Sequence, residues 1–407
     1  MNIAEYLPSE IIIRKKYLEK SLLYLDKDII KVFTGQRRVG KSYILFQLIN
    51  YLIKNQSGSN IIFISKELPE FRFIKSDVDL LSFLADKLIE DKKNYLFIDE
   101  VQEITGFIDG LRNLLAQRKW DIWCTGSNAS MLSKDVAGLL SGRSIEINIS
   151  GLSYHEYLEF HQLDNSDESL NKYLKYGGLP YLKHLRLDNT TVNEYLKGIY
   201  STILFKDIVS RHGIRNTRFL EQLVLFAADN TGSMLSAKKI SDYLKSQGIQ
   251  MPVNLVLEYL SFLTDAFFLI KLKRTDIKGK KIFEIGEKYY FEDNGLRNML
   301  VGFRQDDINK IIENTVLLHL RSSGYQVFTG NLGSKEIDFI CEKNSERIYI
   351  QACYIISDQK VQDREFGNLL HIQDHYPKYV VSMDTVKWDS IQGIQHLRLI
   401  DFLMMDL

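Results

Sequence analysis

The sequence predicts an α/β chain whose first 150 residues form a parallel sheet covered by helices on both faces. Short β-rich runs at 30–34 (IKVFT), 60–65 (NIIFIS), 94–99 (NYLFID), 120–125 (WDIWCT) and 144–149 (SIEINI) alternate with longer segments of helical spacing. In 42–53, for example, Ile44, Leu45, Leu48, Ile49 and Leu52 share one helical face. Strands that alternate with helices pair in parallel, because each helix is the crossover that returns the chain to the same sheet edge.

Beyond Gly151 the pattern changes. Residues 151–230 read as mostly helical, with tyrosine-rich periodic runs at 171–185 and 193–209. Residues 235–263 show two helices separated by Gly248 and Pro252, followed by a ribbon at 266–274 and 281–291, the order of a helix-turn-helix with a wing. From 306 onward the mixed α/β pattern returns, with a helix at 308–322 and strands at 325–329, 336–341, 347–354 and 378–382. Boundaries are expected near 150, 215 and 305.

Composition narrows the function classes. A chain of 407 residues with 45% hydrophobic and 26% charged residues buries ample core, which excludes intrinsic disorder and fibrous repeats. Lysine plus arginine and aspartate plus glutamate each total 52, so no global positive field draws nucleic acid, and such a role needs a local patch. The three cysteines form no CxxC pair, which fits neither a disulfide framework nor a zinc finger. The most apolar stretch, 253–270, carries Glu258 and Asp265 and reads as a core helix, not a membrane span. The N-terminal MNIAEYLPSE has no secretory pattern, and a cytoplasmic chain with no membrane partner is expected.

Gly35, Gln36, Arg37, Arg38, Val39, Gly40, Lys41 and Ser42 fit GxxxxGK(S/T) without a mismatch. Glycines let the backbone curl so that its N–H groups face phosphate oxygens, and the following helix directs its positive end there. Lys41 would reach the β- and γ-phosphates of ATP and the Ser42 hydroxyl would ligate Mg²⁺. An apolar strand ending in Asp99 and Glu100 follows some sixty residues later, with Asp99 placed for the Mg²⁺ shell and Glu100 for the attacking water. Ser127 and Asn128, at the end of another buried strand, fit either of two roles: touching the γ-phosphate or the lytic water, or forming a local turn. Two roles fit Arg143: neutralising the transferring phosphoryl group, in cis or from a second subunit, or capping a strand. Arg37 and Arg38 face either phosphate or a carboxylate.

With GQRRVGKS, LFIDEVQEI, CTGSNASML and GLSYHEYLEF in place, the chain resembles the bacterial and archaeal AAA-type ATPases of the STAND-related clade. YLKYGGLPYL (173–182), YYFEDNGLRN (289–298) and KEIDFI (335–340) are similar to landmarks of the C-terminal domain of unknown function that these proteins carry. The resemblance implies a P-loop ATPase core (1–150), a helical lid (151–215), a winged helix-turn-helix (216–305) and a restriction-endonuclease-like α/β domain (306–407).

The expected wing, Lys271 to Lys281, holds six basic residues against Asp276. Lys273, Arg274, Lys278, Lys280 and Lys281 are placed to track a DNA backbone, or to guard an exposed edge strand. A metal-dependent nuclease of the implied type needs a helix glutamate, a strand aspartate and a (D/E)xK on the next strand. Glu313 and Asp338 fit the first two slots, while Gln351 and Cys353 stand in the carboxylate and lysine slots. Cysteine lacks the positive charge that stabilises the transition state, so the site reads as vestigial unless Lys335 or Lys343 is recruited. The expected function is Mg²⁺-dependent ATP hydrolysis driving a conformational switch, coupled to nucleic acid or to a protein partner, with an ATP-dependent nuclease as a further alternative.

Overall fold

A computed structural model describes residues 3–127, 142–276, 286–333, 335–356, 358–385 and 390–407. The chain divides into two compact units, Met1–Ile149 with Asp265–Phe267, and Ser150–Thr264 with Phe268–Leu407.

In the first unit, β1 (Ile30–Thr34), β2 (Asn60–Ser65), β3 (Asn94–Asp99), β4 (Asp121–Gly126) and β5 (Ser144–Asn148) form one sheet in the order β2-β3-β4-β1-β5. Every pairing is parallel. All residues of β1 and β3 are buried, as a strand covered on both faces requires. The helix Lys41–Asn55 turns Ile44, Leu45, Leu48, Ile49 and Leu52 inward, the face its periodicity predicts. Because β4 lies between β1 and β3, the residues that end these three strands share one edge of the sheet.

The second unit opens with helices, among them Tyr154–His161, Asp167–Tyr176, Asn189–Ser201 and Thr217–Asp229. It then builds an eight-stranded sheet from β6 (Met234–Leu235), β7 (Leu269–Asp276), β8 (Glu287–Phe291), β9 (Gln326–Leu332), β10 (Lys335–Lys343), β11 (Glu346–Cys353), β12 (Lys378–Ser382) and β13 (Gln395–Arg398). The order is β13-β12-β11-β10-β9-β7-β8-β6. Strands β9, β10 and β11 are antiparallel, and β12 and β13 continue in parallel beyond β11.

This arrangement differs from the free ribbon expected of a wing. Strand β7 pairs in parallel with β9, Arg274 opposite Thr329 and Asp276 opposite Asn331, so the described ribbon lies inside the sheet. An unpaired strand edge leaves a row of backbone donors and acceptors exposed, and pairing with β9 satisfies them. The sheet and its core run across residue 305: Ile270, Leu272 and Tyr290 pack in one cluster with Tyr154, Tyr173, Ile312, Phe339 and Ile350.

Two of the sequence landmarks meet here. The Asp293 carboxylate accepts the N–H of Gly178 at 2.8 Å and that of Leu296 at 3.0 Å. A Cβ on Gly177, at φ +81, would come within 2.4 Å of that carboxylate, so the turn admits only glycine.

Candidate active site

The loop 35–40 follows β1 and leads into the helix Lys41–Asn55. Its curl depends on Gly35 (φ +138), where a Cβ would lie 2.1 Å from the Ile149 carbonyl oxygen, and on Gly40, left-handed at φ +95. Arg14 steadies the outside of the curl by donating to the Val39 carbonyl at 3.2 Å. Lys41 is 5% exposed and its ammonium donates to the carbonyls of Gly35 (2.9 Å) and Gln36 (3.0 Å). Arg37 is buried, whereas Arg38 is exposed.

Asp99 and Glu100 stand beside this loop. Ser42 Oγ lies 2.9 and 3.0 Å from the two Asp99 oxygens, and Thr125 donates to Asp99 at 2.7 Å. Burial pushes the Asp99 carboxyl up to about 6 against the help of these hydroxyls, with the Glu100 charge adding to the rise. Burial also pushes Glu100 upward, but Lys41, Arg37, Gln102 and Ser127 together hold it below the ordinary glutamate value. Ser127 Oγ donates to Glu100 at 3.1 Å.

The donor set suits Mg²⁺. Among the described residues no three His, Cys, Asp or Glu side chains are grouped to hold a metal ion by themselves. Mg²⁺ bound with nucleotide takes one or two protein oxygens and completes its octahedron with phosphates and water. A hydroxyl and a carboxylate in contact, at the mouth of a phosphate-facing loop, meet that need.

Lys41, Ser42, Asp99, Glu100 and Ser127 are thus brought together. Asn128 lies outside the described residues. Arg143 is not brought to the loop: its carbonyl accepts the Ile30 N–H at 2.9 Å, at the start of β1, while the loop leaves from the other end. A five-residue strand spans roughly 16 Å, beyond the reach of an arginine side chain, so a role in cis does not fit. Gln102 was not anticipated by the sequence reading. Its amide nitrogen donates to Glu100 and to Ser127 Oγ (3.3 Å), and its only sequence signal is its place two residues past the carboxylate.

The second unit holds another carboxylate cluster. Glu313, from the helix Ile308–Ser322, and Glu336 and Asp338, from β10, surround Lys288 of β8. The Lys288 ammonium, 3% exposed, lies 2.9 Å from Glu313 and 2.6 Å from Glu336, and Tyr290 donates to Glu313 at 2.5 Å. Burial lowers the lysine's pKa, yet the charges of Glu313, Asp338 and Glu336 overcome this and hold it above the ordinary value. The Asp338 carboxyl is pushed well upward by burial and by Glu313, while Lys288 pulls it down.

The cation of this cluster therefore comes from β8, and not from the alternatives named in the sequence. Lys335 sits against His371 at 3.0 Å, and Lys343 donates to the Leu407 carbonyl at 2.5 Å. Gln351 accepts the Asp338 N–H at 2.7 Å and donates to buried Glu365 at 3.1 Å. Cys353 is buried, which pushes its thiol far above the ordinary value. A lone lysine in the apolar run KYYF was the available signal for Lys288.

Of the expected wing contacts, Lys278, Lys280 and Lys281 lie outside the described residues. Arg274 donates to Asn331 at 2.5 Å, and Lys273 stands opposite Glu287 in the β7–β8 register. The helix Val253–Asp265, which would read a groove, contains no lysine or arginine and exposes Val253, Leu257 and Glu258. No described helix is long and apolar enough to cross a membrane.

Comparisons with known proteins bear on the fold. Residues 27–158 match the AAA domain family, and residues 167–307 match a domain of unknown function (DUF8612). An uncharacterized protein of Haemophilus influenzae is 35% identical over 400 residues, covering 97% of this chain and 99% of its own. An uncharacterized protein of Methanocaldococcus jannaschii is 29% identical, over 86% of this chain and 82% of its own. A Walker-type ATPase of Pyrococcus abyssi shares the fold with a TM-score of 0.50 at 16% identity, over 72% of this chain and 97% of that one. The chain belongs to the same family as the Haemophilus influenzae protein, and its residues 27–158 form an AAA domain.

Proposed function

We propose that this family member is a Mg²⁺-dependent ATPase whose hydrolytic cycle switches its conformation for a protein partner. The observation that carries the reading is the contact of Ser42 Oγ with both oxygens of Asp99, next to Lys41 and Glu100 on one edge of the sheet. Loop N–H groups and Lys41 bind the β- and γ-phosphates, and Glu100 takes a proton from the attacking water. Bound Mg²⁺, held by Ser42 and Asp99, supplies neutralisation of phosphate charge.

A protein partner is favoured over DNA by what surrounds the ribbon. Strand β7 is enclosed by β8 and β9, and the helix Val253–Asp265 presents apolar and acidic side chains. Groove binding needs cations along the reading element to release counterions from phosphate. The nucleic-acid reading rests on Lys278, Lys280 and Lys281. The restriction-endonuclease-like module we read as inactive, with Lys288 supporting that view. Arg143, remote from the loop of its own chain, fits a contact across subunits.

Phosphate release by purified protein, alone and with duplex DNA, single-stranded DNA or RNA, tests these readings beside Lys41→Ala. Turnover lost in Lys41→Ala and indifferent to all three polymers is the expected result. Absence of any Lys41-dependent turnover would sink the ATPase reading, and polymer stimulation would sink the choice of a protein partner.

A further inference from the structure

We propose that Gln102 is a catalytic residue of this site, its amide oxygen accepting a hydrogen bond from the water that attacks the γ-phosphate. The inference rests on the reading of the site as an ATPase and names a group that this reading does not contain.

The local backbone brings Gln102 to the carboxylate. Glu100 occupies the left-handed region, φ 57 and ψ 53, and the tight turn Val101–Glu103 follows directly. A non-glycine residue in that conformation costs about 1 kcal/mol or more and persists only where its surroundings enforce it. Here the Glu100 N–H donates to Thr125 Oγ1 at 2.9 Å, and Thr125 in turn donates to Asp99. The reversal folds the side chain of residue 102 back onto that of residue 100.

The two ends of the amide then differ. Its nitrogen donates to Glu100 Oε2 and lies 3.3 Å from Ser127 Oγ. Its oxygen is buried and forms no hydrogen bond with any described residue. Exchanging the two ends would set an acceptor against an acceptor carboxylate, so the carboxylate fixes the orientation. A buried acceptor without a donor costs about 1–3 kcal/mol, and a donor that arrives with the substrate recovers it.

The attacking water is the donor that ATP hydrolysis brings to the site. Donating one proton to Glu100 and the other to Gln102 Oε1 fixes both of its O–H bonds and leaves a lone pair directed away from both acceptors. In the step, the water oxygen forms a bond to the γ-phosphorus. The bond from that phosphorus to the oxygen shared with the β-phosphate breaks, and its electron pair leaves on ADP. One water proton passes to the Glu100 carboxylate, and the other, held at the outset by Gln102, stays on the phosphate product. Holding the nucleophile in one orientation is where such a residue lowers the barrier.

The test uses the full chain and its Gln102→Met, Glu100→Gln and double variants, read by ATP turnover, affinity for a fluorescent ATP analogue and thermal midpoint. Gln102→Met is expected to lower kcat about 100-fold, in the range of one lost transition-state hydrogen bond, with analogue affinity and thermal midpoint kept. In the Glu100→Gln background the same change is expected to cost less than about 3-fold, because both groups act on one water. Unchanged kcat in Gln102→Met would overturn the proposal while leaving the ATPase reading intact. So would a loss shared equally by affinity and thermal midpoint, or a full loss in the double variant. Wild-type protein that binds the analogue through Lys41 but never turns over ATP would end both.

Discussion

Each unit gathers a group of carboxylates, and Asp99 in the first is compensated differently from Glu313 and Glu336 in the second. Around Asp99 the direct donors are hydroxyls, Ser42 at 2.9 Å and Thr125 at 2.7 Å, which ease burial without cancelling charge. The carboxyl is accordingly pushed up to about 6 by its surroundings. Around Glu313 and Glu336 the donor is an ammonium of the chain itself, Lys288, at 2.9 and 2.6 Å. A buried charge costs several kcal/mol unless paired, so the first group favours a ligand that carries positive charge and the second has its cation built in. An acidic cluster is thus a binding site or a piece of core according to where its cation comes from.

The comparison sharpens first through Glu100→Gln, for which turnover is expected to fall about 1,000-fold in a phosphate-release assay. Nucleotide affinity should be retained there, since Lys41 and the loop are untouched. Equal loss of affinity would mean that Glu100 holds structure and not water.

In the second group, Lys288→Met should cost about 2 kcal/mol in denaturant unfolding, because it leaves half-buried carboxylates without their cation, and solvent keeps the cost below that of a fully buried pair. Lys288→Met combined with Glu313→Gln should recover part of that loss. No recovery would show that the ammonium is not the partner that makes Glu313 tolerable.

Asp307 offers a fully compensated third case, with Arg297 at 2.8 Å, Arg304 at 2.6 Å and Lys310 at 2.9 Å. Burial raises its carboxyl, but Lys310, Arg297 and Arg304 hold it far below the ordinary aspartate value. A depressed carboxylate contributes stability above its unfolded pKa of about 4, and that contribution is lost as pH falls toward its folded value. Asp307→Asn should therefore cost about 3 kcal/mol at pH 7 and progressively less below pH 4, read from denaturant midpoints. A cost independent of pH would contradict the assignment.

The smallest effect concerns metal alone. Mg²⁺ without nucleotide should move the thermal midpoint by less than about 1 °C, since the first cluster needs phosphates to complete the coordination and the second holds Lys288. A large shift with Mg²⁺ alone, retained in Asp99→Asn, would show that the cluster in the second unit takes metal after all.

Much of the first site was legible because its parts are local. GQRRVGKS encodes a turn between a buried strand and a helix, and NYLFIDE ends a fully buried strand on two acids, so each segment specifies its own geometry. Gln102 was not legible, because its meaning depends on the left-handed turn at Glu100, which no propensity at a glutamate predicts. Arg143 looked promising in sequence, yet parallel pairing of β1 with β5 sets it at the far end of the strand.

By itself the sequence determined the parallel α/β unit, the glycine-dependent turn at 35–40 and the placing of Asp99 and Glu100 at a strand's end, because apolar periodicity and short-range turn chemistry act within a few residues. Only the tertiary structure decided that the ribbon of β7 and β8 joins β9 in one sheet, and that Lys288 meets Glu313 and Glu336. Those outcomes depend on which strand edge and which buried charge find partners across dozens of residues. Backbone pairing and charge compensation reward such contacts in space and leave no mark on the spacing of residues along the chain.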